Sequence, residues 1–298
     1  MNSRRKFLKS IPVLGAGALA LSACATSGAQ QSLNEANQNI DLWYSDTGEG
    51  DPIVFVPGFT FSSAVFDAQV EFFAKTNRVI VIDPRSHGRS PLTRDGNSYP
   101  QHGQDLARLF VKLSLQNVTL VGWSFGALSA WSYVDQFGLD RITRFVCIDM
   151  PPVPLSGAED AGDWVEIPIA QLPGAYGALS SAEGQSAFIS GYAKAIMVQR
   201  QLSDAELNWI VSLSLNTPPE VAQQLFASGC FSNYLETAKR LESEVPSLFV
   251  VAEHWSSVAI PYLNSELPES RVETLGGHMM FWEYPSEFNA FLASFVKA

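Results

Sequence analysis

Gly122-Trp123-Ser124-Phe125-Gly126 is the stretch of this 298-residue chain best suited to do chemistry. It follows the apolar run Val118-Thr119-Leu120-Val121 and leads into Ala127-Leu128-Ser129-Ala130-Trp131, which has helical spacing. A G-x-S-x-G pentapeptide carries information in that setting, between a strand and a helix. The turn there is too sharp for side chains beside the serine, which accounts for both glycines. It leaves the Ser124 hydroxyl exposed at a helix N-terminus, where N–H groups and the helix dipole favour developing negative charge. Ser124 is therefore the candidate nucleophile.

A serine hydroxyl is a poor nucleophile without a base. The chain offers His87, His102, His254 and His278. His278 follows Gly276-Gly277 and sits between the expected last strand and the terminal helix. A loop that approaches a nucleophile closely needs such glycines, and the order nucleophile, acid, histidine is kept. His278 is the candidate general base. His87, in the turn Asp83-Pro84-Arg85-Ser86-His87-Gly88-Arg89-Ser90, reads as structural. His102 reads as the exposed start of a helix.

The elements that must position these residues alternate along the chain. Ile40 to Tyr44 is expected to be an edge strand, followed by a turn-rich stretch to Asp51. Ile53–Val56, Arg78–Asp83, Val118–Gly122, Arg144–Asp149 and Ser247–Val251 are short apolar runs suited to strands covered on both faces, and Arg271 to Leu275 is the expected last strand. Helical periodicity fills Gly103–Ser114, Phe125–Phe137 and Pro285–Val296. Repeated strand, helix, strand predicts an α/β fold with a mostly parallel sheet and helices on both faces. The interval 151–243 breaks that alternation and is too long for a loop. It is expected to be a helical cap inserted after the sixth core strand, with residues 40–150 and 244–298 as the core.

With the oxyanion-loop segment Val56-Pro57-Gly58-Phe59, the 83–90 turn, the Ser124 elbow and Gly277-His278 in hand, the body from Ile40 to Ala298 resembles the α/β-hydrolase superfamily, in the style of its cofactor-free esterases, C–C hydrolases and haloperoxidases. The resemblance implies that the backbone N–H groups of Phe59 and Phe125 form the oxyanion hole. Relatives usually carry His where this chain has Pro57. Most also place the triad acid after the seventh strand, a register that falls here on Trp255, which cannot orient an imidazole. A minority place it after the sixth strand, and Asp149 in Cys147-Ile148-Asp149-Met150 matches that position. Asp149 is the preferred acid; Glu253, two positions off the usual register, is the competitor.

These residues imply hydrolysis of a small or medium carboxylic ester through an acyl-enzyme, with Trp123, Phe59, Phe61, Phe125 and Met279 as candidate pocket floor. C–C, lactone or perhydrolytic chemistry on the same triad is the alternative. A binding protein that kept the fold without turnover is the alternative of another class. No cofactor and no metal-ligand spacing is indicated.

The N-terminus reads as an export segment. Ser3-Arg4-Arg5-Lys6-Phe7-Leu8-Lys9 resembles the twin-arginine consensus, and Ile11 to Leu21 is too short to span a bilayer. Leu21-Ser22-Ala23-Cys24 looks like a bacterial lipobox, which implies acylation of Cys24 and a flexible tether over residues 24–39. Removing residues 1–23 takes four basic residues and no acid, and lowers the formal charge from −11 to −15. Such a body repels nucleic acid and anionic lipid, so any membrane contact is expected through the lipid anchor alone. The remaining Cys147 and Cys230 are expected to be buried free thiols.

Overall fold

The computed structural model describes residues 40–155, 164 and 168–297. The export segment, the tether and Cys24 lie outside the described residues. Seven strands form one sheet in the order β1-β3-β2-β4-β5-β6-β7. They are β1 (Tyr44–Thr47), β2 (Pro52–Val56), β3 (Arg78–Ile82), β4 (Val118–Trp123), β5 (Ile142–Ile148), β6 (Ser247–Val251) and β7 (Arg271–Thr274). β1 pairs antiparallel with β3, and every other pairing is parallel.

The apolar runs have the expected physical origin. Val54, Val56, Leu120, Phe145 and Phe249 point into one buried cluster. Their neighbours Ile53, Phe55, Val121, Val146 and Leu248 point into the other. Side chains alternate along a strand, so a sheet covered on both faces needs apolar residues at every position. α1 (Asp67–Phe73), α2 (Tyr99–Lys112) and α3 (Phe125–Phe137) connect the first strands. α2 and α3 cover the first face, whereas α1 packs on the second.

Between β5 and β6 lie α4 (Leu172–Ala178), α5 (Ala182–Tyr192), a π-helical turn at Ala193–Met197, α6 (Asp204–Leu215), α7 (Pro219–Cys230) and α8 (Leu235–Glu244). These helices occupy the interval read as a cap; β5 is the sixth strand in the family's count and the fifth among the described residues. The chain ends with α9 (Ser256–Glu266), α10 (Met280–Glu283) and α11 (Pro285–Lys297).

Two expectations are corrected. The edge strand covers Tyr44–Thr47 and not Ile40–Tyr44. Trp43 is tied instead to the loop after β3: its N–H donates to Ser90 Oγ at 2.8 Å and its carbonyl accepts from Asp83 N–H at 3.0 Å. His102 is buried, not exposed. The helix begins three residues earlier, at Tyr99. His102 consequently falls on the inner side of its first turn, against Tyr99, His87 and Ser129.

Candidate active site

The candidate residues come from the carboxyl ends of different strands, where a parallel sheet opens its crevice. Ser124 follows β4 directly and has φ 51° and ψ −134°. A left-handed φ at a non-glycine residue costs on the order of 1–3 kcal/mol. The fold holds it there by the Ser124 N–H bond to Ile148 O at 2.8 Å and by Ala127 N–H on Ser124 O at 2.8 Å. Gly126 has no alternative, because a Cβ would lie 2.3 Å from Val56 O and 2.5 Å from Pro57 O.

Asp149 follows β5 with φ 52°. Its N–H donates to Val250 O at 2.9 Å, and its Oδ1 accepts from Ala252 N–H at 2.8 Å. Those two bonds across the β5–β6 ends aim Oδ2 at His278 Nδ1, 2.7 Å away. Both side chains are buried. With Nδ1–H donating to the carboxylate, Nε2 is the ring nitrogen that can serve as a base. Glu253, the competing acid, is exposed and accepts from Gln199 Nε2 at 2.9 Å.

The His278 loop is docked on the π-helical turn of the cap region. His278 N–H donates to Ile196 O at 2.9 Å and Met279 N–H to Met197 O at 2.8 Å. Gly277 fits because a Cβ would lie 2.6 Å from Met197 O. The next residues are fastened too: Gln199 and Arg200 N–H groups donate to the Glu283 carboxylate. Trp123 Nε1–H donates to His278 O at 2.8 Å, and the Tyr192 ring meets the imidazole edge-on at 5.6 Å.

Ser124 and His278 line one cavity. From the core, Phe59, Phe61, Trp123 and Phe125 face it; from the 151–243 interval come Phe188, Ile189, Tyr192, Met197 and Phe226. Met279 does not line it and is buried behind the histidine loop. The cavity carries no acidic, lysine or arginine side chain, so its walls favour apolar groups. Sequence reasoning missed the five residues from the cap region. Phe188 and Tyr192 do stand at i, i+4, but that spacing does not tell a pocket wall from ordinary core.

Phe59 and Phe125 are brought together at this cavity, their rings 5.8 Å apart. Neither N–H is given to a protein acceptor among the described residues. His87 lies just behind. It is buried, its Nδ1 bonds Arg85 O at 2.7 Å, and its Nε2 accepts from Thr60 N–H at 3.2 Å. Burial lowers its pKa to about 4, so the imidazole is neutral. Cys147 and Cys230 are buried and not joined in a disulfide. Among the described residues no group of three or more His, Cys, Asp or Glu could hold a metal ion, and no helix is long and apolar enough to cross a membrane.

A sequence model of the alpha/beta hydrolase fold matches residues 51–285. A Synechocystis sp. protein whose provisional name is non-heme chloroperoxidase is 28% identical over 280 residues, covering 88% of this chain and 97% of its own. A bifunctional esterase/perhydrolase of Acinetobacter calcoaceticus is 34% identical over 116 residues, 38% of this chain and 42% of its own. Among solved structures, a bromoperoxidase from Bacillus anthracis superposes with a TM-score of 0.79 at 23% identity, over 89% of this chain and 98% of its own. The parallel sheet, the strand-to-helix turn at Ser124 and the matched length together make this chain a member of the α/β-hydrolase fold family.

Proposed function

We propose that this chain is a serine hydrolase that cleaves small or medium carboxylic esters with an apolar acyl group through an acyl-enzyme. The observation that carries the reading is the Asp149–His278 pair at 2.7 Å, opening into the cavity that holds Ser124. In this scheme His278 Nε2 takes the Ser124 proton as Oγ attacks the ester carbonyl. The Phe59 and Phe125 N–H groups receive the oxyanion, and each such donor contributes about 3 kcal/mol to the transition state. The imidazolium, held by Asp149, protonates the departing alcohol. Water, deprotonated by the same nitrogen, then releases the acid and restores Ser124.

A fluorophosphonate probe should label the protein stoichiometrically, and Ser124→Ala should abolish both labelling and turnover of p-nitrophenyl esters. Ligand binding without labelling would leave the non-catalytic reading standing in its place. Perhydrolysis is a second reading, favoured by the esterase/perhydrolase relative. Hydrogen peroxide would replace water at the acyl-enzyme and leave as the peracid, so peracid formation in peroxide-supplemented assays separates the two.

We also propose that the chain is exported and held at a membrane through an acylated Cys24; residues 3–24 carry this reading.

A further inference from the structure

Thr60 adjoins Phe59, one of the two candidate oxyanion donors, and its backbone is strained. Phe61 N–H donates to Gly58 O at 3.1 Å, which makes Phe59 and Thr60 the central pair of a tight turn. Thr60 has φ 60°. Turns with positive φ at that third position ordinarily use glycine or asparagine, and a β-branched residue is an outlier there. Such a residue persists where its surroundings over-determine it.

The surroundings here come from two directions. From the core, His87 Nε2 accepts the Thr60 N–H at 3.2 Å, its tautomer set by the Nδ1 bond to Arg85 O. From the cap region, Ser214 Oγ lies 2.6 Å from Thr60 Oγ1. The Thr60 hydroxyl gives its own proton to Phe59 O at 2.7 Å, so Ser214 is the donor in that contact. Thr217 Oγ1 spans Ser86 O at 3.2 Å and Thr60 O at 3.5 Å. Gln185 Nε2 in turn braces the end of α6, donating to Ser214 O at 3.0 Å and Thr217 O at 3.1 Å. Thr60, Ser214, Thr217 and Gln185 are all fully buried. The network therefore runs by direct hydrogen bonds from the cap helices to the turn that carries the Phe59 N–H.

We propose that Thr60 is a positioning residue for the oxyanion loop and that Ser214 clamps it, so that the cap completes the oxyanion hole. The proposal rests on the serine-hydrolase reading of Ser124 and Phe59. The Thr60 hydroxyl ties the Phe59 carbonyl and the Ser214 hydroxyl into one chain, and its strained φ keeps the Thr60 N–H on His87. The Phe59 N–H belongs to the adjoining peptide, and it is held only as firmly as this turn. A donor displaced by an ångström stabilises the transition state less while leaving ground-state binding alone.

Thr60→Gly separates this role from a merely structural one. Glycine relieves the φ strain, which offsets part of the cost of losing the hydroxyl's two buried hydrogen bonds, so the melting temperature should fall by only a few degrees. Turnover of p-nitrophenyl acetate should nevertheless fall about tenfold to a hundredfold in kcat with little change in KM. Ser214→Ala should lose about tenfold. The double variant should be no worse than Thr60→Gly alone, because both changes cut one chain. Thr60→Ser, which retains the hydroxyl, should recover most of the loss. Hydrogen–deuterium exchange over residues 57–63 should rise in Ser214→Ala, a readout independent of activity. Unchanged kcat in Thr60→Gly and Ser214→Ala, additive losses, or unchanged exchange would each overturn the clamp. If the wild-type protein shows neither labelling at Ser124 nor turnover, the hydrolase reading fails by itself. Faster exchange in Ser214→Ala then still upholds the clamp, and unchanged exchange ends it.

Discussion

An imidazole holds its base-competent tautomer when an acceptor is aimed at the other ring nitrogen, and at His278 two carboxylates competed for that place. Asp149 has it because its backbone is locked at φ 52° between β5 and β6 and its second oxygen is occupied by Ala252 N–H. Glu253 contributes main chain instead: its N–H donates to Gly276 O at 2.9 Å, while its carboxylate reaches out to Gln199. Asp149→Asn should therefore lower kcat by about 10⁴-fold, as a mis-set tautomer does, at nearly constant KM. Glu253→Gln should stay within about twofold of wild type, well short of any loss in transition-state stabilisation. Steady-state kinetics on p-nitrophenyl esters checks both, and reversed effects would move the acid to Glu253.

At the scale of elements, the turn after β3 and the start of α2 share a buried polar seam. Arg85 bonds Asp105 through two nitrogens at 2.9 and 2.8 Å, with both side chains buried. His87 and His102 pack ring to ring beside that pair, 5.7 Å apart. Burial lowers the pKa of His87 to about 4 and that of His102 well below its ordinary value. In the unfolded chain both take up protons near pH 6.5, so between pH 6.5 and 4 the unfolded state binds more protons and is favoured. The stabilisation is fully present above pH 6.5 and is lost as pH falls toward 4, on the order of 3 kcal/mol for His87. Melting temperature measured across this window should drop with pH, and His87→Gln should flatten the slope. An equal slope in the variant would show that His87 is not charged on unfolding in this range.

For the whole molecule, the helices between β5 and β6 do more than roof a cavity. They supply the carbonyls of Ile196 and Met197 to the histidine loop and the hydroxyl of Ser214 to the oxyanion loop. The His278 loop and the Phe59–Thr60 turn are thus both fastened to one inserted segment. The proposed export and anchoring rest on residues 3–24. If acylation of Cys24 tethers it, Cys24→Ser should move the protein from the membrane fraction to the soluble exported fraction; an equally firm membrane hold in that variant would refute the anchor. The acidic body, at −15 once residues 1–23 are removed, gives an anionic surface no second means of holding it.

Local chemistry let the sequence specify the sheet, the Ser124 turn and the glycine-led His278 loop. Continuous apolar runs mark strands covered on both faces, and glycines mark close approaches, so neither signal needs distant partners to be recognised. The N-terminal edge strand and His102 were misjudged because a loop bond in one case and a helix starting three residues earlier in the other decided them. Tertiary structure alone put Asp149 and not Glu253 beside the His278 ring, since that placement depends on how the β5 and β6 ends cross-bond. It alone brought Phe188, Tyr192 and Phe226 over a serine far earlier in the chain. It also joined Thr60 to His87 and Ser214, contacts that span 27 and 154 residues. Periodicity reports which face of an element is buried, but not which distant element comes to cover it.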